Sequence, residues 1–267
     1  MRLVYLGTPA MAVPPLEALV DAGHEVALVV TGADKRRGRG STTSPSPVKV
    51  AAERLGIPVS HTVDDVLAHD AELGVVVAFG RIIKPHVLAE LPMVNLHFSL
   101  LPRWRGAAPV ERALLAGDEV TGVCVMAVEE GLDTGGVYTV EEVPIEPSTT
   151  ADELRRTLVD IGSRLLVATL AEGLGVPIPQ TGEPTYAAKI DPSELRIDWT
   201  APVEQIDRLI RLGGAWTTFR GTRCKIHAAR IDGGELVPTV VQPEGKPRMA
   251  FEAWRNGARP DDGEWFE

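Results

Sequence analysis

The chain is poor in the residues that mark several large classes of protein. Its 267 residues include two cysteines, Cys124 and Cys224, both in apolar, strand-like contexts, with no C-x-x-C and no Cys/His cluster. That excludes a disulfide-knit scaffold and the usual zinc spacings, and it points to buried thiols rather than a disulfide or a nucleophile. No metal-ligand set is visible, so no metal is expected. No apolar run approaches the roughly 18 residues a membrane span needs, and no membrane partner is expected. The opening Met-Arg-Leu-Val-Tyr-Leu-Gly is too short an apolar stretch for a signal peptide and leads straight into a strand, so a cytoplasmic protein is expected. Positive charge is scarce: 27 Lys and Arg against 37 Asp and Glu leave a formal net charge of −10. That argues against general affinity for nucleic acid and leaves room only for a local basic patch. The lone glycine after the first strand is not G-x-G-x-x-G, so no dinucleotide is inferred. There is no internal repeat and no low-complexity tail.

What is present is ordinary globular composition, 44% hydrophobic and 24% charged, in a chain long enough for one large domain and a smaller one. Residues 2–6 read as a strand, 13–22 as a helix and 26–31 as a second strand. This βαβ opening favours a doubly wound, mostly parallel sheet. A helix over 48–55, a short strand over 57–60 and a helix over 64–69 follow. Residues 74–80 form an apolar, β-branched run suited to a buried central strand. Further on, a helix is expected over 110–116 and strands over 121–128 and 136–143. Thr150-Ala-Asp-Glu153 is a capping box opening a long helix. The Gly- and Pro-rich stretch 173–184 reads as a surface connection. A helix over 203–212 and short strands over 215–219, 222–231, 235–241 and 248–254 complete the chain.

Three stretches carry chemistry. Residues 95–109 read N-L-H-F-S-L-L-P-R-W-R-G-A-A-P. Asn95 and His97 alternate with Leu96 and Phe98, so on a strand both polar side chains share one face. They precede a Pro- and Gly-rich loop, where an open α/β sheet builds its ligand crevice. An amide and an imidazole there supply a donor and a titratable base; N-x-H alone fits equally a strand-ending Asn beside a satisfied core His. Asp133, in Gly131-Leu-Asp-Thr-Gly135, taken alone is a turn residue. Lys35, Arg36, Arg37 and Arg39 fall in a Gly-rich loop that could lie along phosphates or be a solvated surface loop.

Together, the 95–109 stretch and L-D-T-G resemble the signature of the 10-formyltetrahydrofolate-dependent formyltransferases, and the resemblance runs from the G-T-P after the first strand to the stretch around Trp199. It implies a formyltransferase fold, a Rossmann-like α/β sheet with an OB-like, β-rich C-terminal domain. The expected division is a catalytic domain over 1–188, a linker over 189–204 and a reduced C-terminal domain over 205–267. By resemblance, Asn95, His97 and Asp133 form the catalytic trio, and Ser99, Leu100, Leu101 and Pro102 contact the folate. Phe79, Gly80, Ile82 and Leu91 wall its pterin pocket, and Lys35, Arg36, Arg37 and Arg39 meet the tRNA acceptor arm. The formyl donor is 10-formyltetrahydrofolate, and the acceptor is the amino group of initiator methionyl-tRNA. No protein partner is indicated.

The sequence departs from the family in two places. Ser41-Thr42 stands where the basic loop commonly carries two lysines. Beyond Thr200 the ten Lys and Arg are matched by ten Asp and Glu, so the short C-terminal part has no basic excess. A sugar-nucleotide N-formyltransferase shares the N-x-H and L-D-T-G parts and is the alternative. A non-catalytic folate-binding regulator would be expected to lack one of the trio. In the expected mechanism Asn95 stabilises an oxyanion. His97 exchanges protons, while Asp133 orients it, raises its pKa and accepts a proton.

Overall fold

The computed structural model describes residues 1–36 and 43–267. These fall into two compact units, the first formed by residues 1–109, 120–144 and 155–187, the second by 110–119, 145–154 and 188–267.

The first unit is built on a seven-stranded sheet. Its strands are β1 (Arg2–Gly7), β2 (Glu25–Val30), β3 (Val59–Ser60), β4 (Leu73–Val77), β5 (Met93–His97), β6 (Val120–Ala127) and β7 (Val137–Pro144). Their spatial order is β7-β6-β5-β4-β1-β2-β3. β3, β2, β1, β4 and β5 run parallel, whereas β6 and β7 are antiparallel to their neighbours. In β1 and β4 every position after Arg2 is buried. Continuous apolar runs of this kind are what a parallel strand covered on both faces requires. The chain order reverses between β1 and β4, and ligands of open α/β sheets lie beyond the carboxyl ends of strands at such a switch.

The helices α1 (Val13–Asp21), α2 (Pro47–Arg54) and α3 (Pro85–Glu90) belong to this unit. From its second residue α4 (Pro109–Ala116) falls in the other unit, and α5 (Ala151–Glu172) returns to the first from Arg155. α2 starts where Ser46 accepts the Lys49 N–H at 3.0 Å, with Pro47 at the first helical position. The capping box opens α5: Glu153 N donates to Thr150 Oγ1 and Thr150 N to Glu153 Oε2. Where α5 crosses the sheet, a Cβ at Gly162 would stand 2.9 Å from Val123 and 3.1 Å from Leu96, so only glycine permits this approach. Residues 63–68 form a 3-10 turn rather than the expected α-helix.

The second unit carries a four-stranded antiparallel meander: β8 (Trp216–Phe219), β9 (Thr222–Asp232), β10 (Glu235–Pro243) and β11 (Met249–Ala250). α6 (Val203–Leu212) buries Ile206 and Ile210, and α7 (Phe251–Ala258) buries Phe251 and Trp254. α7 corrects the expected strand over 248–254. Only Met249–Ala250 is extended, because Phe251 and Trp254 stand three apart and meet the core from one helical face. The chain end closes that core. Phe266 stacks on Trp254 at 4.9 Å and on Trp199 at 5.7 Å, and Glu267 exchanges backbone hydrogen bonds with Thr218. Residues 189–204 are built into this unit: Arg112 pairs with Glu194, and Ile197 is buried.

Candidate active site

β5 brings Asn95 and His97 to the carboxyl edge of the parallel strands on one face. Leu96, between them, is buried on the other. Asn95 is half-buried, and among the described residues its carboxamide has no hydrogen-bond partner, so its donor stays open to a ligand. His97 is 5% exposed. Its Nε2 lies 3.0 Å from the carbonyl oxygen of Trp104. A carbonyl only accepts, so Nε2 carries the proton and the neutral ring keeps its lone pair on Nδ1. That nitrogen is 3.7 Å from Asp133 Oδ2.

Trp104 is itself held in place. It has φ +63°, and its N–H donates to Thr185 Oγ1 at 2.9 Å. Arg105 and Gly106 pair in parallel with Tyr186 and Ala187. Gly106 has φ +119°, and a Cβ there would stand 3.0 Å from the Ala187 oxygen, so glycine is required. The Gly106 N–H donates to Asp133 Oδ2 at 2.7 Å.

Asp133 reaches the site by a route that strand-end reasoning does not supply. β6 is antiparallel to β5, and its carboxyl-terminal Ala127 lies beside Val94 while Cys124 lies beside His97. The loop after β6 must therefore double back toward His97, and Asp133 takes φ +49° in doing so. Gln180 Nε2 donates to the carbonyls of Asp133 and Gly135.

The expected upward pull of Asp133 on the His97 pKa is present, but burial decides the net direction. Burial holds the His97 pKa below its ordinary value, outweighing the upward pull of the Asp133 charge and of the hydrogen bond to Trp104. The ring is oriented by the Trp104 carbonyl, and Asp133 faces the basic nitrogen rather than fixing the tautomer. Burial also pushes the Cys124 thiol up to about 12, so it stays neutral and unreactive beneath the site.

The other expected contacts divide by exposure. Ala78 and Gly80 after β4 have φ +46° and +68°, a bend beyond the strand end of the kind found at ligand clamps. Phe79 and Leu91 are buried in one apolar cluster with Ile83 and Val87, whereas Ile82 is 87% exposed. Leu91 also lines a cavity of about 500 Å³ with Leu67, Asp70, His86 and Glu90, none of which belongs to the His97–Asp133 group. Ser99 is buried, and its hydroxyl donates to the Arg103 carbonyl at 2.6 Å. Leu100, Leu101 and Pro102 are half-exposed, with a cis peptide bond at Leu101–Pro102. Half-exposed apolar side chains at 100–102, open backbone at Gly80 and the unpaired Asn95 amide are of the kind that fits a flat aromatic ligand with a polar edge. Lys35–Arg36 pairs antiparallel with Thr43–Ser44; Arg37 and Arg39 lie outside the described residues. Among the described residues no group of His, Cys, Asp or Glu is placed to hold a metal, and no helix is long and apolar enough to cross a membrane.

Residues 1–170 match the family model described as formyl transferase, and residues 189–236 match that of the formyl transferase C-terminal domain. The chain belongs to the formyl transferase family. Across its whole length it is 44% identical to a methionyl-tRNA formyltransferase of Roseobacter denitrificans, covering 99% of that protein. It is 40% identical to one of Acidothermus cellulolyticus, with each chain covered in full. Among solved structures, the methionyl-tRNA formyltransferase from Clostridium thermocellum superposes with a TM-score of 0.68 over 91% of this chain and 98% of that one, at 18% identity. The formyl transferase fold therefore extends through both units.

Residues that sequence reasoning missed are Trp104, Gly106, Gln180 and Thr185. Trp104 and Gly106 act through backbone atoms, which no side-chain pattern reveals. Gln180 and Thr185 are joined to the site only by contacts that span 47 and 81 residues.

Proposed function

We propose that this formyl transferase moves the formyl group of 10-formyltetrahydrofolate to the amino group of initiator methionyl-tRNA, with Asn95, His97 and Asp133 as its catalytic residues. The acceptor reading is carried by the relatives, which match over the whole chain and are methionyl-tRNA formyltransferases. The trio is supported by the 3.7 Å approach of His97 Nδ1 to Asp133 beside the unpaired Asn95 amide.

The bound folate supplies the formyl group on a nitrogen leaving group, and the protein does the rest. An α-amino group titrates near pKa 7.7–8.0, and esterification of its carboxylate lowers that further, so enough of it reaches the site neutral without a strong base. The Asn95 N–H donates to the formyl oxygen as negative charge builds there, a contact of the kind typically worth about 2.7–4 kcal/mol. His97 Nδ1 takes the proton shed by the attacking amine, because Nε2–H is committed to Trp104. Asp133 stabilises the imidazolium while it lasts, and the proton then passes to the departing nitrogen. A depressed pKa suits a base that must be neutral on arrival. Phe79, Gly80, Ile82, Leu91 and residues 99–102 would hold the folate, and Lys35, Arg36, Arg37 and Arg39 the phosphates of the acceptor arm.

The test is acceptor competition. Purified protein is offered 10-formyltetrahydrofolate with charged initiator tRNA, charged elongator methionine tRNA and amino-sugar nucleotides. Formylation of the initiator species is expected; transfer only to the sugar nucleotide would replace this reading.

A further inference from the structure

The Gly- and Pro-rich stretch 173–184 does more than run over the surface. Ile178 and Val137 exchange two backbone hydrogen bonds of 2.8 Å. Two residues later, Gln180 turns its side chain toward the loop that carries Asp133. Its Nε2 donates to the carbonyls of Asp133 and Gly135, each at 2.8 Å. Its Oε1 accepts from Arg105 Nε and from the same guanidinium's Nη2, at 3.1 and 2.6 Å. A carboxamide has two N–H donors and one oxygen with two lone pairs, so the group is saturated within the chain and has nothing left for a substrate. Flipping it would set an oxygen against two carbonyls and an NH2 against a guanidinium, so its orientation is unique.

The contacts close into a ring. Gly106, next to Arg105, donates to the Asp133 carboxylate at 2.7 Å. Asp133 is therefore gripped at its carboxylate by Gly106 and at its backbone carbonyl by Gln180, with Arg105 joining the two. A left-handed turn at a non-glycine residue, φ +49° here, persists only where its surroundings over-determine it. Building on the reading of His97 and Asp133 given above, we propose that Gln180 is a positioning residue for formyl transfer. It braces the turn at Asp133 against Arg105 and so fixes the carboxylate 3.7 Å from the imidazole.

The titratable groups facing His97 are Asp133, from the loop after β6, and the neutral thiol of Cys124, from β6. If the brace is lost, Asp133 drifts from Nδ1, its upward pull on the His97 pKa weakens, and burial drives the value lower.

Two variants test this. Gln180→Leu removes the bridge; Gln180→Glu keeps its length and its oxygen toward Arg105 but replaces both donors with an acceptor. The His97 imidazole is titrated by NMR in the substrate-free protein, its signal assigned by its loss in His97→Gln. kcat and KM are measured with 10-formyltetrahydrofolate and charged initiator tRNA. Gln180→Leu should show a lower His97 midpoint, whereas the new charge in Gln180→Glu itself pulls that midpoint up. Both variants should show a kcat reduced about 100-fold, the effect of a misplacement of about 1 Å. The folate KM should be unchanged, because the brace acts on the chemical step. Should Gln180→Leu fail to fold, Gln180→Glu carries the test. Folded Gln180→Leu protein with a wild-type midpoint, or either folded variant with a wild-type kcat, would overturn the proposal. If wild-type protein formylates none of the acceptors, the functional reading fails, while the NMR titration still decides whether Gln180 sets the His97–Asp133 approach.

Discussion

A Cβ built on Gly135 would overlap the carbonyl oxygen of Ala127 and stand 2.8 Å from its carbonyl carbon. Carbon atoms rest about 3.5–4.0 Å apart, so one of the two backbones would have to retreat by roughly 0.7–1.2 Å in Gly135→Ala. Ala127 ends β6, pairs with Val94 of β5 and donates its N–H to Gly136 O. The sheet is therefore the stiffer partner, and the loop gives way. That displacement carries the Gly135 carbonyl off Gln180 and moves Asp133, two residues upstream, away from His97. Overpacking of this kind costs about 1–3 kcal/mol of stability, whereas a shift of about 1 Å at the chemistry costs about 100-fold in rate. The fold should survive while kcat collapses. Gly175→Ala is the control: nothing lies within 4 Å of its added carbon, and its φ is not left-handed. Its kcat and Tm should stay at the wild-type values, as for an ordinary surface substitution. The assay is kcat, folate KM and Tm for both variants. Wild-type kcat in Gly135→Ala would refute the reasoning that this glycine exists to let two backbones touch.

Because burial holds the His97 pKa below 6.5, kcat/KM should fall on acidification through a midpoint below 6.5, and a limb centred above that value would contradict the assignment of His97 as base. The same shift means that the folded chain binds fewer protons than the unfolded one between the two pKa values. This contribution to stability is full above 6.5 and is lost as pH falls toward the folded value. Phe266→Ala should destabilise the second unit by about 3–5 kcal/mol in urea unfolding, since the ring is 6% exposed; a loss under about 1 kcal/mol would remove the chain end from the core. Arg36→Ala, Arg37→Ala and Arg39→Ala combined should weaken binding of charged tRNA and flatten its salt dependence by roughly 0.7–0.9 for each phosphate no longer neutralised, with folate affinity intact. Identical tRNA binding at every salt concentration would assign recognition elsewhere.

Much of the fold and half of the site are legible in the residues alone. The apolar runs of β1, β2 and β4 are unbroken, and the helix signal at Thr150–Glu153 is local, so pattern alone places them. The common face of Asn95 and His97 follows from strand alternation. Legibility fails where the cause is long-range or carried by the backbone. Phe251 and Trp254 look like strand residues because aromatics favour strands, yet their spacing of three is the helical signal. Asp133 cannot be placed by the rule for parallel strand ends, because nothing local says that β6 runs antiparallel. The His97 tautomer depends on the Trp104 carbonyl, and the direction of its pKa shift depends on burial, neither of which a motif encodes. Gln180 lies in a stretch whose composition says only that it is a connection.

The central claim is that His97, facing Asp133 beside Asn95, carries the chemical step. Single-turnover formyl transfer to charged initiator tRNA by His97→Ala, with folate affinity measured on the same sample, tests it most directly. The account predicts a rate lower by about 10²–10⁴-fold, the contribution of a positioned acid/base group, with folate binding unchanged. A folded, folate-binding His97→Ala protein that transfers the formyl group at the wild-type rate would contradict it.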